Sequence, residues 1–285
     1  MKKPGILVTT ILTLGLVAAV LLGGCSPVNL ANLKVVTSTS LIAQVVEQVG
    51  GERIDVANII PPAQCPGHFD VKPSDVQRLA EAELFLLHGW QGEMFSEELI
   101  ASANNADLTV VVLDIPSNPQ SNWMVPSVQQ EAVDKVAATL SQVDSQNSAA
   151  YQKSASEYKS RITAKESEVK IRLAEGNLSS VNVMCADQQE GFVKWTGLNV
   201  VAVFGRPDTL TPQVVKELVD TGKAENVALI IDNLQSGQDA GKGVAEELGC
   251  QRLILSNFPG GFDDTETWEK AIDYNIELIL TALAQ

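Results

Sequence analysis

Histidine is scarce in this sequence, since only His68 and His88 occur among its 285 residues. Two histidines leave no convergent catalytic triad, and the chain has neither a nucleophile elbow nor an HExxH motif. A glycine-rich phosphate loop is also missing, because Gly260 and Gly261 have no Walker-like lysine after them. We therefore expect a protein that is not an enzyme.

Basic residues are outnumbered by acidic ones, 20 against 35, which gives a formal net charge of −15. Loss of Lys2 and Lys3 with an N-terminal leader lowers this charge to −17. Such a chain lacks the positive surface that binds a phosphate backbone, so nucleic acid is excluded as a partner. Diffuse acidity keeps a protein soluble and also favours the approach of cations.

Cysteine is too rare for a disulfide framework. Setting Cys25 aside leaves Cys65, Cys185 and Cys250, an odd number that allows at most one internal disulfide. Cys250 directly follows the predicted end of a helix and is expected to be a small buried residue.

The first 25 residues have the features of a lipoprotein signal peptide. Lys2 and Lys3 precede an apolar run from Ile6 to Leu22, which is short for a transmembrane helix of about 20 residues. The run ends at Leu22-Gly23-Gly24-Cys25, which matches a lipobox and predicts cleavage before Cys25 and lipid attachment to that residue. The alternative is an uncleaved anchor helix with an incidental cysteine. Both interpretations place the rest of the chain outside the cytoplasm, at the cell membrane.

Short apolar runs alternate with helical patterns on both sides of a long polar stretch. Runs such as Leu33 to Thr37 and Ala82 to Leu87 are typical of strands buried on both faces of a parallel sheet. Residues 128–176 contain no such run and predict a helix long enough to connect two domains. We therefore predict an α/β fold with lobes at residues 33–127 and 177–285, joined by one long rigid α-helix. Ligands of such folds meet the carboxyl ends of strands, so the binding cleft is expected between the lobes.

Several motifs recur together along the chain, and the most specific is His68, followed at a fixed distance by Pro73-Ser74-Asp75. The others are Val35 to Ser38, the Val49-Gly50-Gly51 turn, His88-Gly89 with Glu93, Trp123 to Pro126, the long helix and Tyr274-Asn275. With these motifs the sequence resembles the metal-binding receptors of zinc and manganese ABC importers over nearly the whole chain after Cys25. The resemblance implies a mainly parallel four-stranded sheet in each lobe. It also implies one divalent transition-metal ion as cargo between the lobes, delivered to a membrane permease without catalysis.

Most of the metal ligands that the resemblance implies are missing. Such receptors usually hold the metal with three histidines and one acidic residue, and only His68 stands at a matching position. Ser121, with Gln120 beside it, occupies the second histidine position, and the third falls in Cys185-Ala186-Asp187. The acidic position falls at Ser256-Asn257. The identity of the ion therefore does not follow from the resemblance.

A different metal site is predicted from the residues that are present. Cys65 lies three residues before His68, and thiolate and imidazole are strong ligands for zinc and for copper-like ions. Cys185 and Asp187 come from the strand end expected to face His68 across the cleft. The predicted ligands are thus Cys65, His68, Cys185 and, optionally, Asp187. Alternatively, Cys65 and Cys185 form a disulfide between the lobes or remain inert thiols, and Asp187 caps a helix.

Further polar residues at strand ends are predicted to line the cleft. These are Ser121, Gln120, Asp232 and Ser256, although a simple turn explains Asp232 equally well. His88 is expected to be structural or to lie at the mouth of the cleft.

These observations predict a lipid-anchored, monomeric, extracytoplasmic binding protein of an ABC importer. Its cargo is expected to be a zinc-like, manganese-like or thiophilic metal ion, and its partner a transporter permease. Two alternatives stay open at this stage. The same scaffold binds a metal chelate or another small solute, or it serves as a surface adhesion protein without transport.

Overall fold

Continuous apolar runs in the first half of the chain form a four-stranded parallel sheet, as predicted. The computed structural model describes residues 32–89, 93–115 and 122–284. Its first sheet has the spatial order β2-β1-β3-β4. These strands are β1 (Leu33–Thr37), β2 (Ile54–Asn58), β3 (Leu84–Leu87) and β4 (Thr109–Val112). All four residues of β3 are buried because helices cover both faces of the sheet.

The second half of the chain repeats this arrangement. Its sheet is also parallel and has the spatial order β6-β5-β7-β8, which is the same winding as in the first sheet. The strands are β5 (Asn182–Ala186), β6 (Asn199–Phe204), β7 (Leu229–Asn233) and β8 (Gln251–Leu255). The predicted fold of two lobes with parallel four-stranded sheets is therefore confirmed.

Helices connect the strands and cover the sheets. In the first lobe they are α1 (Ser40–Gly50), α2 (Pro73–Ala80) and α3 (Phe95–Ala103). In the second lobe they are α6 (Glu190–Thr196), α7 (Pro212–Ala224), α8 (Leu234–Gly237), α9 (Lys242–Leu248) and α10 (Trp268–Leu283). Within the ranges that the structure describes, no helix is both long and apolar enough to cross a membrane. The predicted signal peptide and Cys25 lie outside those ranges.

Two helices connect the lobes. They are α4 (Pro126–Val143) and α5 (Ser148–Ala174), and the second has 27 residues, so the predicted long helix is confirmed. The first part of the predicted connector is a separate helix because the chain turns at Asp144. Its carboxylate accepts hydrogen bonds from the Asn147 amide and the Tyr151 hydroxyl, which stabilises the turn.

Helix α5 is attached to both lobes. Its Tyr158 hydroxyl donates a hydrogen bond to Gln44 Oε1 of α1 at 2.8 Å, and both side chains are buried. At the other end, Lys165 Nζ and Arg172 Nη1 lie 2.8 and 3.2 Å from the Asp273 carboxylate of α10. The largest apolar core is likewise continuous from the first sheet through the connector to the second. A large change in the angle between the lobes would therefore disrupt this core.

We predict that shortening one core side chain of α5 destabilises the whole protein. Ile162→Ala should lower the free energy of unfolding by about 2–5 kcal/mol, because Ile162 is fully buried and the change leaves a cavity. Ile171→Ala is the matched control, since Ile171 lies on the same helix but is 68% exposed. The control should stay within about 0.5 kcal/mol of wild type in urea unfolding. Equal effects of the two substitutions would contradict the role of α5 as a core element.

Candidate functional site: the cleft between the lobes

His68 lies in a loop at the carboxyl end of β2. The loop ends in a short 3₁₀ turn, Pro66–His68, in which the side chain of His68 is exposed and the thiol of Cys65 is buried. Gln64 Nε2 donates a hydrogen bond to the His68 carbonyl at 3.0 Å and fixes the turn. The imidazole is therefore presented to solvent at the sheet edge where ligands of α/β folds bind.

The Pro-Ser-Asp motif after His68 begins α2. Pro73 occupies the first helical position, where its missing N–H is not needed. The Asp75 carboxylate accepts a hydrogen bond from the Lys72 N–H at 2.9 Å, and Arg78 Nη1 lies 3.3 Å from its other oxygen. The motif thus anchors the end of the His68 loop.

Three contacts place the second lobe against this region. Gln235 Nε2 donates a hydrogen bond to the Pro62 carbonyl at 2.8 Å, and Ser40 Oγ donates one to the Pro259 carbonyl at 2.8 Å. A β-carbon added at Gly260 would lie only 3.1 Å from Pro62 Cγ, so the backbones of the two lobes approach closely there. The carboxyl ends of the two sheets therefore meet around the His68 loop.

Neutral polar groups hold the centre of the cleft. We call Asn122, Gln188, Gln235 and Asn257 the amide cluster. Asn122 Nδ2 donates to Asn257 Oδ1 at 2.7 Å and to the Gln188 carbonyl at 2.9 Å, and Asn257 Nδ2 donates to the same carbonyl at 2.9 Å. The Asn257 N–H donates to Gln235 Oε1 at 3.1 Å. Amide groups carry no charge, so they cannot neutralise a dication as carboxylates do.

Sequence reasoning missed most of this cluster. The sequence marks Asn257 only as a residue at the position where an acidic ligand is expected, and it does not single out Gln235. Asn122 and Gln188 follow no motif that marks a binding site. One feature of the sequence could have indicated the cluster. Gln235 and Asn257 follow strand ends and Asn122 precedes a helix, and a cleft between α/β lobes is lined by such positions.

Two predicted cleft-lining residues are structural instead. Asp232 is fully buried in β7, where its carboxylate accepts hydrogen bonds from Arg252 Nη1 at 2.6 Å and from the Gly241 N–H at 2.7 Å. Burial raises the pKa of Asp232, against the lowering effect of Arg252. Ser256 is also buried and bridges Gln235 and the Phe258 carbonyl, at 2.8 Å in each case. The prediction that their side chains line the cleft surface is wrong, whereas Gln120 and Ser121 lie outside the described ranges.

Cys185 does not lie where the sequence placed it. Its side chain is fully buried in the largest apolar core, and burial raises the pKa of its thiol. The physical reason is the alternation of side chains along β5, which directs the penultimate residue of the strand into the helical layer. Asp187 comes directly after the strand, in a short turn, and is partly exposed.

The predicted ligands are not assembled into a metal centre. Across residues 32–89, 93–115 and 122–284, no group of three or more His, Cys, Asp or Glu side chains could hold a metal ion. Cys65, Cys185 and Cys250 are free thiols, so the alternative of a disulfide between the lobes is not realised either. Cys65, His68 and Asp187 as metal ligands stay a prediction.

His88 is part of a buried polar network at the ends of β1 and β3. Its Nε2 lies 2.7 Å from Thr39 Oγ1, and its ring makes an edge contact with Trp123 at 4.7 Å between centroids. Glu93 accepts hydrogen bonds from the Gly89 N–H at 2.7 Å and from the Ser38 hydroxyl. Burial lowers the pKa of His88 well below its ordinary value of 6.5, so the ring is neutral. Of the two expected roles, the structure supports the structural one.

Two parallel-sheet lobes that meet at the carboxyl ends of their strands and share a long connecting helix define a helix-linked substrate-binding protein. Comparison with protein families agrees with this class. The model of the family described as zinc-uptake complex component A periplasmic (ZnuA) matches residues 35–282. The chain belongs to this family.

Individual relatives are similar at low identity. The metal ABC transporter substrate-binding lipoprotein SsaB of Streptococcus sanguinis is 22% identical, with the alignment covering 100% of both chains. The manganese ABC transporter substrate-binding lipoprotein PsaA of Streptococcus pneumoniae is 33% identical over 89 residues, 31% of this chain and 29% of its own. Among solved structures, the Pseudomonas aeruginosa protein FpvC in complex with Ni²⁺ has a TM-score of 0.75 at 20% identity, covering 89% of this chain and 97% of its own. A ZnuA structure has a TM-score of 0.75 at 18% identity, covering 88% and 99%.

We predict that buried His88 makes stability depend on pH. Its pKa is lowered in the folded state, so below pH 6.5 the unfolded chain takes up a proton that the folded chain does not. This contribution to stability is present above pH 6.5 and is lost as the pH falls, by about 1.4 kcal/mol between pH 7.5 and 5.5. Urea unfolding at the two pH values should show that loss in wild type but not in His88→Asn. His68→Asn is the control and should show the same loss as wild type, because the side chain of His68 is exposed. A pH dependence unchanged in His88→Asn would contradict the assignment.

We also predict that Cys185 is protected from thiol reagents in the folded protein. Cys185→Ala should leave the number of reactive thiols unchanged in native buffer and lower it by one in denaturant, because the side chain is buried in the core. Cys250→Ser is the control, since that thiol is only partly buried and should be lost from both counts. If native Cys185→Ala had one reactive thiol fewer than native wild type, Cys185 would lie at the surface instead.

Proposed function

We propose that this chain is the extracytoplasmic substrate-binding protein of an ABC importer and carries transition-metal cargo in the cleft between its lobes. The observation that carries the proposal is the meeting of the carboxyl ends of both sheets around the His68 loop. In α/β folds ligands bind at such ends, and here two of them face each other. Membership of the family described as a zinc-uptake component supports the same function.

The N-terminal sequence supports the proposed location, and the family supports the proposed partner. The lipobox ending at Cys25 would anchor the protein by lipid to the outer side of the cell membrane, and relatives are named lipoproteins. From there a monomer would deliver its cargo to a membrane permease. Like the binding components of importers to which its family belongs, the protein would perform no catalysis.

The metal would contact His68 first. This imidazole is exposed at the cleft, Cys65 lies on the same turn, and Asp187 follows the opposing strand β5. Thiolate and imidazole suit zinc and related ions, whereas the Asp187 carboxylate would also suit ions that prefer oxygen ligands, such as manganese. Since the lobes share one core through α5, loading would order the cleft loops rather than swing the lobes through a wide hinge.

We predict that loss of the His68 imidazole weakens metal binding. In a form comprising residues 26–285, His68→Ala should lower the zinc affinity roughly tenfold or more, as measured by isothermal titration calorimetry. Even residues that only orient a metal ligand cause a loss of this size when they are substituted. Cys65→Ser should also weaken binding, whereas Cys250→Ser, at the opposite end of the second sheet, should bind as wild type does. Unchanged affinity in His68→Ala would remove His68 from the site. Absence of any metal species bound to wild type would refute the proposed function.

A further inference from the structure

Arg206 reaches across the cleft to the His68 loop. It follows β6 in the second lobe, and its carbonyl accepts hydrogen bonds from the N–H and the hydroxyl of Thr209 at 2.9 and 2.8 Å, which fix the backbone. A β-carbon added at Gly67 would lie 3.5 Å from Arg206 Nη1 and 3.8 Å from Cys65 Sγ. The guanidinium group therefore lies over the turn that carries Cys65 and His68.

None of the described residues forms an ion pair with this guanidinium. It makes no ion pair or side-chain hydrogen bond with any residue that the structure describes, although its side chain is half-buried. The segments outside those ranges contain no aspartate or glutamate, so they do not supply one. By contrast, Arg252 in the same lobe pairs with both Asp232 and Asp239. An unpaired cation in the cleft of a chain with a net charge of −15 is a group left available for a ligand.

The charges of the cleft do not suit a bare dication. Arg206 repels a cation bound at His68 and offsets the negative charge of Asp187, and the amide cluster adds no further negative charge to compensate. The arrangement suits an anion, because guanidinium binds a carboxylate through two parallel hydrogen bonds in a fixed planar geometry. Half-burial strengthens such a pair relative to one in bulk water.

We propose that Arg206 binds a carboxylate group of the cargo, and that the metal enters the cleft as an anionic metal–carboxylate chelate. In this arrangement the imidazole of His68 faces the metal and Arg206 neutralises the organic ligand from the opposite lobe. The inference rests on the proposed function and specifies the chemical class of the cargo. It explains why this chain has the fold of metal receptors but lacks most of the histidines and the acidic residue that would bind a bare ion.

The test is a titration of the full mature protein with Zn²⁺ in the presence and absence of citrate. If the protein bound only the bare ion, citrate would compete for the metal and weaken the apparent affinity. We expect citrate to raise the apparent affinity instead, so that zinc–citrate binds roughly tenfold more tightly than Zn²⁺ alone. A gain of this size is typical of a hydrogen bond to a charged group. Citrate without metal should bind more weakly than zinc–citrate.

Substitution of Arg206 separates this effect from general changes in the protein. Arg206→Gln should weaken zinc–citrate binding roughly tenfold and leave binding of Zn²⁺ alone unchanged or stronger. Arg206→Lys keeps the charge but loses the planar geometry, so it should recover only part of the affinity. The matched control is Arg53→Gln, which removes the same charge from an exposed turn at the amino end of β2, away from the cleft. The control should bind as wild type does.

Two results would overturn the inference while leaving metal transport in place. One is competition by citrate against Zn²⁺ in wild type, and the other is unchanged zinc–citrate affinity in Arg206→Gln. Binding of citrate alone as tightly as zinc–citrate would also overturn it, because the cargo would then be a metal-free carboxylate. Failure of wild type to bind Zn²⁺ in any of these forms would count against the proposed function itself.

Discussion

The contact between Tyr158 of α5 and Gln44 of α1 is the interaction on which the two-lobed arrangement depends. The buried Tyr158 hydroxyl and the buried Gln44 Oε1 satisfy each other, and an unpaired polar atom in a core costs about 1–3 kcal/mol. Gln129 of α4 donates to the same hydroxyl at 3.1 Å, so one tyrosine fixes three helices. Ion pairs from α5 to Asp273 then position the second lobe on the same helix. The width of the cleft follows from this framework together with direct contacts such as those of Gln235 with Pro62 and of Asn122 with Asn257.

The cleft differs in character from the framework that surrounds it. Its walls are joined by amides and backbone carbonyls, its exposed imidazole belongs to one lobe and its unpaired guanidinium to the other. Such a site distinguishes ligands by hydrogen-bond geometry and by the sign of their charge more than by apolar contact. A receptor that relies on these features needs the lobes held at a fixed distance, which the shared core provides.

The strands, their parallel pairing and the long helix could be predicted from the sequence because each produces a continuous local pattern. The cleft could be predicted only in part. Cys185 and Asp232 both occupy the penultimate position of a strand. Because side chains alternate along a strand, a shift of one position decides whether a side chain is buried or reaches the cleft. Arg206 and Asn122 do not stand out in the sequence for a different reason. Arg206 lies over Gly67 and Asn122 is hydrogen-bonded to Asn257, in each case on the other lobe, and no local pattern records a contact between residues so distant in sequence.

The neutral composition of the amide cluster has a consequence for where this protein can work. Amide side chains neither gain nor lose protons, so the hydrogen bonds of Asn122 and Asn257 keep their strength in acidic and alkaline surroundings alike. At the proposed extracytoplasmic location, a protein experiences the acidity of its environment without the buffering of a cytoplasm. The hydrogen bonds between the lobes that these amides make would therefore persist when the surroundings become acidic.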